Sequence, residues 1–242
     1  MPVVFWTAPA RADYPDFSAY NALLERHVSP ATIQGIRLNQ VNYTAWRRDA
    51  NYHIAIAELA AFDPGRLVTK EEKLAFWINA YNLLAIKVVI DHEVTGSIKD
   101  AGWIFNSVWL RNAGKVGGKT RTLDKIEHSI LRPMGDPRIH MAIVCASLSC
   151  PDLRPEAYLP DHLDDQLEDQ ARSFLANDTK GLKGHGRKVT ISKIFDWFGD
   201  DFGGETGVIR FLQEHVVRVG EKPELIDGYF DYNWSLNGTQ NL

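Results

Sequence analysis

One segment constrains the fold of this chain more than any other: a run of apolar residues that follows a helix-capping motif. Thr69 is followed three residues later by Glu72, the pattern of a capping box, in which each side chain bonds the backbone of the other residue. Residues 74–90 are then apolar on nearly every side, which predicts a helix buried within a core. Two asparagines and a lysine interrupt the run, so we expect it to fall short of a membrane span.

The two asparagines of this run are the first candidate site residues. Asn79 and Asn82 are three residues apart and therefore lie on one face of the predicted helix. A buried amide without hydrogen-bond partners is costly, so each must bond to something. They are candidate substrate-binding residues, and the alternative is a purely structural role.

Composition excludes several classes of protein. Of the 242 residues, 45% are apolar and 24% are charged, which allows a sizeable core and argues against disorder. The net charge of −4 argues against nucleic-acid binding, which requires a basic face. We expect a small-molecule or peptide ligand as partner and no stable membrane insertion. The oligomeric state stays open.

The first residues contain a possible export signal. Ala10-Arg11-Ala12 is a small-x-small triplet of the kind that signal peptidase cleaves, although the apolar stretch before it is short. We therefore interpret residues 1–12 as the remnant of a signal peptide, which predicts a periplasmic or secreted protein. The alternative is a flexible tail on a cytoplasmic protein. Residues 13–242 are predicted to form a single domain.

The periodicity of the rest of the chain predicts interleaved helices and strands. Predicted helices cover residues 17–28, 44–62, 69–90, 123–131, 161–175, 193–202 and 206–219. Predicted strands cover residues 36–38, a hairpin of 107–111 and 115–121 turned at 112–114, then 138–147, 189–191 and 229–236. Helices followed by strands interleaved with helices are typical of an α+β fold. We predict a helical N-terminal half packed on a small, mostly antiparallel sheet.

A carboxylate in the helix after Thr122 is the second candidate. Glu127 falls within the apolar arc of this helix, so it must be paired, hydrogen-bonded or protonated. His128 lies beside the arc. The functional interpretation is a Glu and a His at the edge of a pocket, acting as acid, base or orienting group. The alternative is a Glu tied to a buried Arg and a His on the surface.

The predicted strand 138–147 carries a third candidate, His140. In a regular strand His140 and Cys145 point to opposite faces, so they form no catalytic pair unless a bulge intervenes. A partner for His140 would then come from elsewhere. The alternative is a histidine that is simply hydrogen-bonded.

The two cysteines of the chain flank a loop of small residues, which includes Ser147 and Ser149 as candidate substrate-binding positions. Pro151 can begin a helical turn and leave Cys150 at its N-cap, where backbone N–H groups favour the thiolate. Cys150 is therefore the preferred nucleophile and Cys145 is expected to be buried. The alternatives are a small hydrophobic residue at Cys145 and a structural disulfide.

Spacing supports no metal and no cofactor. The chain contains neither a His-Glu-x-x-His motif nor a pair of Cys-x-x-Cys motifs, and its Gly118-Lys119-Thr120 lacks the first glycine of a phosphate-binding loop.

Several segments form a distinctive series of motifs: FWINAYN at 76–82, TLDKIEHSIL at 122–131, DPRIHMAIVCASLSCP at 136–151, LR at 153–154, SKIFDW at 192–197 and YNWSLN at 232–237. This series resembles the motifs of the domain of unknown function 547 family. The resemblance covers roughly residues 70–237, and the order of the motifs makes it specific. It places seven residues among the distinctive polar positions of the family: Asn79, Asn82, Glu127, His128, His140, Cys145 and Cys150.

The family has no established activity. Some members carry added glutaredoxin-like or coiled-coil regions, which implies by analogy a thiol-based or interaction role. Some plant relatives have Ser at the second cysteine, which implies that a disulfide is not general to the family.

Three functional hypotheses follow. The first is a thiol-dependent enzyme on an amide or peptide-like bond, with Cys150 or Cys145 as nucleophile, His128 or His140 as base, and Glu127 or an asparagine as orienting group. The second is a non-catalytic binding module, with a groove lined by Trp103, Phe105 and Trp109. The third is a redox module in which the cysteines cycle between dithiol and disulfide.

Overall fold

A computed structural model describes residues 14–102, 107–185, 187–216 and 222–239. The predicted signal-peptide remnant at 1–12 lies outside these residues. So do Trp103, Phe105 and the predicted end of the last helix at residue 219.

The described residues form helices and short strands. The α-helices are α1 (Ser18–His27), α2 (Tyr43–Arg48), α3 (Ala50–Ala61), α4 (Lys70–Asp91), α5 (Leu123–Ile126), α6 (Ile139–Ala142), α7 (Leu163–Ala176), α8 (Ile194–Trp197) and α9 (Gly204–His215). The strands are β1 (Val28–Ile33), β2 (Ile36–Asn42), β3 (Gly114–Val116), β4 (Lys119–Arg121), β5 (Leu182–His185), β6 (Lys188–Ile191), β7 (Leu225–Tyr229) and β8 (Gly238–Thr239). Short 3₁₀ turns and one π-helical turn, Glu127–Leu131, connect them.

Strand pairing within the described residues gives three small sheets. β1 pairs antiparallel with β2, which pairs in parallel with β8. β3 and β4 form a hairpin, and β6 lies between antiparallel β5 and parallel β7. The predicted α+β single-domain class is confirmed, with the strands divided over several sheets.

Helix α4 is the centre of the fold, as its capping box predicts. Thr69 accepts from the backbone of Glu72, and the Glu72 side chain accepts from the backbone of Thr69. By length and hydropathy alone the helix meets the criterion for a membrane span, contrary to our expectation. However, 89% of its most apolar window is buried inside the protein, as in a core helix.

Two hydrophobic clusters make up the core. The larger surrounds α4 and includes residues of α1, α3 and α5. The smaller joins α7, α9 and the sheet of β5, β6 and β7, around Phe174, Phe211 and Leu212. Helix α6 lies between them, because its Ile139 and Ala142 pack in the larger cluster and its Met141 packs in the smaller.

The predicted strand 138–147 is wrong. The segment begins with helix α6, and just before the helix the Asp136 carboxylate accepts from the Arg138 backbone N–H over 3.0 Å. Ile139, His140, Met141 and Ala142 are all buried. Burial on every side gives a run that is apolar except for His140, and such a run does not distinguish a strand from a helix.

Three other predicted elements are corrected. The predicted helix 44–62 is two helices, because the Asp49 carboxylate accepts from the Asn51 backbone and starts α3. The predicted first hairpin strand, 107–111, is wrong, because Val108–Leu110 is a 3₁₀ turn. The hairpin is formed by β3 and β4 and turns at Gly117 and Gly118, both with positive φ, so the expected turn at 112–114 is wrong as well. In place of the predicted strand 229–236, β7 ends at Tyr229, residues 230–234 are irregular, and Ser235 and Leu236 form only isolated β-bridges.

Candidate functional site

A cavity of about 230 Å³ lies where the two hydrophobic clusters meet. Its lining combines ionisable and aromatic side chains: Tyr81, Trp109, Glu127, His128, His140, Ile143, Cys145, Cys150, Pro151, Ile194, Trp197, Phe198, Tyr232 and Trp234. A larger, open cleft of about 770 Å³ runs between α1 and α7, but neither cysteine lines it. The smaller cavity is therefore the candidate site, since it brings together all five residues predicted to be catalytic.

A strained loop presents Cys145 to this cavity. Ala146 has a φ of 59°, in the left-handed region that residues with a side chain seldom adopt. The loop is fixed to the C-terminal segment, because Leu148 N–H donates to the Ser235 carbonyl over 2.8 Å and Asn237 N–H donates to the Ala146 carbonyl over 3.0 Å. Strain held in place by such contacts is typical of functional sites.

The two cysteines are free thiols in contact with each other. The backbone N–H of Cys145 donates to the Cys150 sulfur over 2.8 Å. The Cys145 sulfur also lies 3.1 Å from the Ser147 hydroxyl and 3.2 Å from the Tyr232 hydroxyl. Cys145 is partly exposed, whereas Cys150 is buried.

These surroundings separate the acidities of the two thiols. A hydrogen bond from Cys150, together with those from Ser147 and Tyr232, lowers the pKa of Cys145 to about 6 against the opposing effect of burial. Burial, and its hydrogen bond to Cys145, raise the pKa of Cys150 well above the usual thiol value. The hydrogen bonds around Cys145 therefore favour its thiolate form, whereas burial disfavours the thiolate form of Cys150.

The expected helical turn at Pro151 is wrong, because the described residues that follow Cys150 are not helical. Without a helix N-terminus, the reason for preferring Cys150 as nucleophile is lost. Its carbonyl instead accepts from the ammonium group of Lys180 over 2.7 Å, and Lys180 is itself buried and bonded to Asp152.

Glu127 projects into the cavity from the π-helical turn that continues α5. Thr122 caps α5 as predicted, accepting from the Lys125 backbone over 3.0 Å. The Glu127 carboxylate is buried and accepts a hydrogen bond from the Tyr81 hydroxyl over 3.2 Å. Burial raises the pKa of Glu127 to about 7, although nearby His128 and the Tyr81 hydrogen bond partly oppose the shift.

His140 is held by an aspartate that the sequence did not indicate. Its Nε2 lies 2.7 Å from Asp201 Oδ2, and its ring stacks on Phe198 with a centroid distance of 4.2 Å. A carboxylate only accepts hydrogen bonds, so Nε2 of the neutral ring carries the proton, and the Nδ1 lone pair meets no hydrogen-bond donor among the described residues. Burial lowers the pKa of His140 to about 4, despite the opposing effect of Asp201.

His128 lies at the more exposed rim of the cavity. Its Nδ1 is 2.9 Å from Nη1 of Arg132, and its Nε2 is 3.6 Å from Asp124. Arg132 also forms a two-point contact with Asp201, at 2.6 and 2.8 Å. A chain of polar contacts thus connects the two histidines.

The predicted substrate-binding residues have mixed placements. Asn79 exchanges hydrogen bonds with the Tyr158 backbone, and Asn82 donates to the Ala142 carbonyl and accepts from Val144 N–H. The Ser149 hydroxyl accepts from the backbone of Asn233. These three side chains bind backbone, whereas Ser147 contacts the Cys145 sulfur.

Sequence reasoning missed several residues of the site: Tyr81, Lys180, Trp197, Phe198, Asp201, Tyr232 and Trp234. The motifs at 192–197 and 232–237 contain some of them, but no local pattern indicates that these segments meet the cysteine loop. Among the described residues, no group of three or more His, Cys, Asp or Glu is arranged to hold a metal ion.

The fold and the site together define an α+β domain with a thiol-containing cavity. Residues 66–175 match the family described as "Protein of unknown function, DUF547", and this segment of the chain is a domain of that family. The match includes α4 and the cysteine loop, and it ends before the motifs at 192–197 and 232–237. No curated protein and no solved structure matches the chain.

Proposed function

We propose that the protein is a thiol-dependent enzyme of the hydrolase or acyl-transfer type, acting on an amide or peptide-like bond with Cys145 as its nucleophile. One observation carries the proposal: a partly exposed cysteine lines a cavity, and its sulfur is surrounded by hydrogen-bond donors that lower its pKa to about 6. The thiolate is the nucleophilic form of cysteine, and it predominates at neutral pH when the pKa is this low.

The proposed reaction proceeds through a thioester. The Cys145 thiolate attacks the carbonyl carbon, the C–N bond breaks, and the amine leaves with a proton from Glu127. Water then attacks the thioester and gives its proton back to Glu127, while the thiolate departs and the acid is released. A carboxyl group with a pKa of about 7 suits this exchange, because it both gives and takes a proton near neutral pH.

His140 is the second candidate for the proton-transfer step. It is neutral at pH 7 and carries a free Nδ1 lone pair, with Asp201 fixing the ring through Nε2. A neutral imidazole accepts the proton of the attacking water, but it donates none to the leaving amine. This asymmetry supports Glu127 as the acid.

The first test measures alkylation of each cysteine by iodoacetamide across pH, resolved by mass spectrometry. We expect Cys145 to react in the native protein with an apparent pKa of about 6, and Cys150 to react only after unfolding. A Cys145 that reacts no faster than free cysteine, with a pKa of about 8.5, would contradict the proposal.

The second test uses p-nitrophenyl acetate as an acyl donor. We expect a burst of nitrophenol equal in amount to the protein, with an acetyl group found on Cys145. The Cys145→Ala variant should show no burst, and the Cys150→Ala variant should retain the burst amplitude at a lower rate, because Cys150 helps to lower the pKa of Cys145. An equal burst from the Cys145→Ala variant would exclude this residue as the acyl acceptor.

A dithiol–disulfide redox role is the second candidate, favoured by the contact between one acidic and one buried thiol. The Cys150→Ala variant separates the two functions. A redox module needs both thiols, whereas acyl transfer needs only Cys145.

A further inference from the structure

We infer that the tryptophan-lined side of the cavity is a subsite for one uncharged aromatic group of the substrate, next to the bond that Cys145 attacks. This inference rests on the proposed function and specifies its substrate class. The subsite is formed by Trp109, Trp197, Phe198 and Trp234.

The aromatic rings of this wall contact one another, and the Trp197 side of the wall remains partly exposed. Trp197 stacks on Trp234 with a centroid distance of 5.6 Å and an angle of 23°, and Trp109 meets Trp234 edge-on at 5.6 Å. Trp197 is 43% exposed despite these contacts. An aromatic ligand ring can therefore continue the stack at low cost in side-chain entropy.

Hydrogen bonds and ring contacts hold the aromatic wall and the nucleophile in fixed positions relative to each other. Trp234 directly precedes Ser235, whose carbonyl accepts from Leu148 in the cysteine loop. Tyr232 touches both sides, because its hydroxyl lies 3.2 Å from the Cys145 sulfur and its ring lies 4.7 Å from the Trp197 ring. A group held against Trp197 is thus held close to the reacting sulfur.

The charges around the cavity favour an uncharged occupant. No Lys or Arg is among the described residues that line it. Two cations already contact rings of the wall: the Lys99 ammonium group lies 3.6 Å from the ring centre of Trp234, and the Arg132 guanidinium, which also binds Asp201, lies 5.3 Å from the ring centre of Phe198. An anionic group would meet the Cys145 thiolate and Glu127 with no Lys or Arg lining the cavity, and a cationic group would meet the positive charges that Lys99 and Arg132 already place over the wall rings.

The size of the cavity limits the occupant to a single group. Pockets for drug-sized ligands measure about 300–1,000 Å³, and this one measures about 230 Å³. That volume suits one aromatic side chain of a peptide-like substrate.

The test compares electrophiles that differ only in the group next to the reactive amide. The rate of Cys145 alkylation is measured with N-benzyl, N-ethyl, N-carboxymethyl and N-(trimethylammonioethyl) iodoacetamide, and each rate is divided by that of glutathione. We expect a normalised benzyl-to-ethyl ratio of about 10, the size of one favourable aromatic contact, and the slowest reaction with the carboxylate.

Variants of the wall identify the subsite. Trp197→Ala should bring the benzyl-to-ethyl ratio close to 1, and Trp197→Leu, which keeps apolar volume and is the safer substitution for folding, should reduce it severalfold. The control Tyr229→Ala removes a comparably exposed ring outside the cavity and should leave the ratio at its wild-type value.

Each failure has a distinct signature. A wild-type ratio near 1 overturns the aromatic subsite but not the nucleophile, and fastest reaction of the trimethylammonium reagent overturns its uncharged character. If all four reagents react with Cys145 no faster than with glutathione at neutral pH, the proposed function itself fails.

Discussion

The two cysteines are five positions apart, and their surroundings shift their pKa values in opposite directions. Cys150 is 3% exposed and its sulfur accepts the backbone N–H of Cys145. Its thiol proton in turn stabilises the Cys145 sulfur, and this is the largest single effect that lowers the pKa of Cys145. A residue that does no chemistry itself is thus expected to set the reactivity of its neighbour.

Replacing Cys150 tests that dependence. Cys150→Ala removes the donor, so we expect the apparent pKa of Cys145 alkylation to rise from about 6 toward the free-thiol value of about 8.5. Cys150→Ser keeps an O–H donor in nearly the same place and should cause a smaller rise. The measurement is the pH profile of iodoacetamide labelling, with circular dichroism to confirm folding. Identical profiles for the Ala variant and the wild type would assign the low pKa to Ser147 and Tyr232 alone.

At the scale of elements, α4 connects to two loops through its two asparagines. Asn82 bonds Ala142 and Val144, immediately before the cysteine loop, whereas Asn79 bonds Tyr158 on the other side of it. Both side chains are buried, so each bond is made out of contact with water. The helix therefore acts as a rigid support for the site.

Replacement of either asparagine should lower the stability of the fold by a similar amount, but only replacement of Asn82 should affect the nucleophile. Asn82→Ala and Asn79→Ala each leave a buried backbone N–H and carbonyl unpaired, which should destabilise the fold by about 2 kcal/mol. Urea unfolding monitored by circular dichroism measures this loss. Only Asn82→Ala should also alter the apparent pKa of Cys145, because Val144 is the residue before the nucleophile. Equal effects of the two variants on that pKa would argue against a specific support of the loop.

Elements with local start signals were predictable from the sequence. The capping box at Thr69 and the cap at Thr122 led to α4 and α5, and the apolar spacing of residues 161–175 led to α7. Glu127 was placed in a buried arc by the same periodicity. These predictions succeeded because the determining contacts lie within a few residues of each other.

Elements decided by distant contacts were not predictable. Helix α6 is buried on all sides, so its sequence lacks the alternation that separates helix from strand. Asp201 and Tyr232 reach the site from segments 61 residues beyond His140 and 87 residues beyond Cys145. No local sequence pattern indicates these long-range contacts. The contact of Tyr232 with Cys145 is one of those that distinguish Cys145 from Cys150 as the candidate nucleophile.

At the scale of the whole molecule, the cavity lies between two hydrophobic clusters and contains a buried carboxyl group. Glu127 is 7% exposed and has no Lys or Arg hydrogen-bonded to it among the described residues. Its alternative interpretation, a Glu tied to a buried Arg, is therefore wrong. Ionisation of this buried carboxyl group should therefore lower the free energy of unfolding of the whole domain.

The pH dependence of unfolding tests this balance. The pKa of Glu127 is raised from 4.5 to about 7 by folding, so between these values the folded protein retains a proton that the unfolded chain releases. Stability should fall as pH rises through this window, and the loss should be complete above pH 7, at about 3 kcal/mol.

Glu127→Gln should remove that loss. We expect the variant to exceed the wild type in free energy of unfolding at pH 8 and to approach it at pH 4.5, measured by urea unfolding. Glu214→Gln, an exposed substitution on α9, serves as the control and should track the wild type. A difference between the Glu127→Gln variant and the wild type that stays constant across pH would show that the carboxyl group does not titrate in this range.

The aromatic wall has a practical consequence. Three of the seven tryptophans of the chain, Trp109, Trp197 and Trp234, line one small cavity, so a large share of the intrinsic fluorescence originates there. Indole emission moves to shorter wavelength when water leaves the ring. A compound that fills the cavity should therefore shift the tryptophan emission to shorter wavelength. Ligand libraries can be screened by this shift on the unlabelled protein, without an assay of activity.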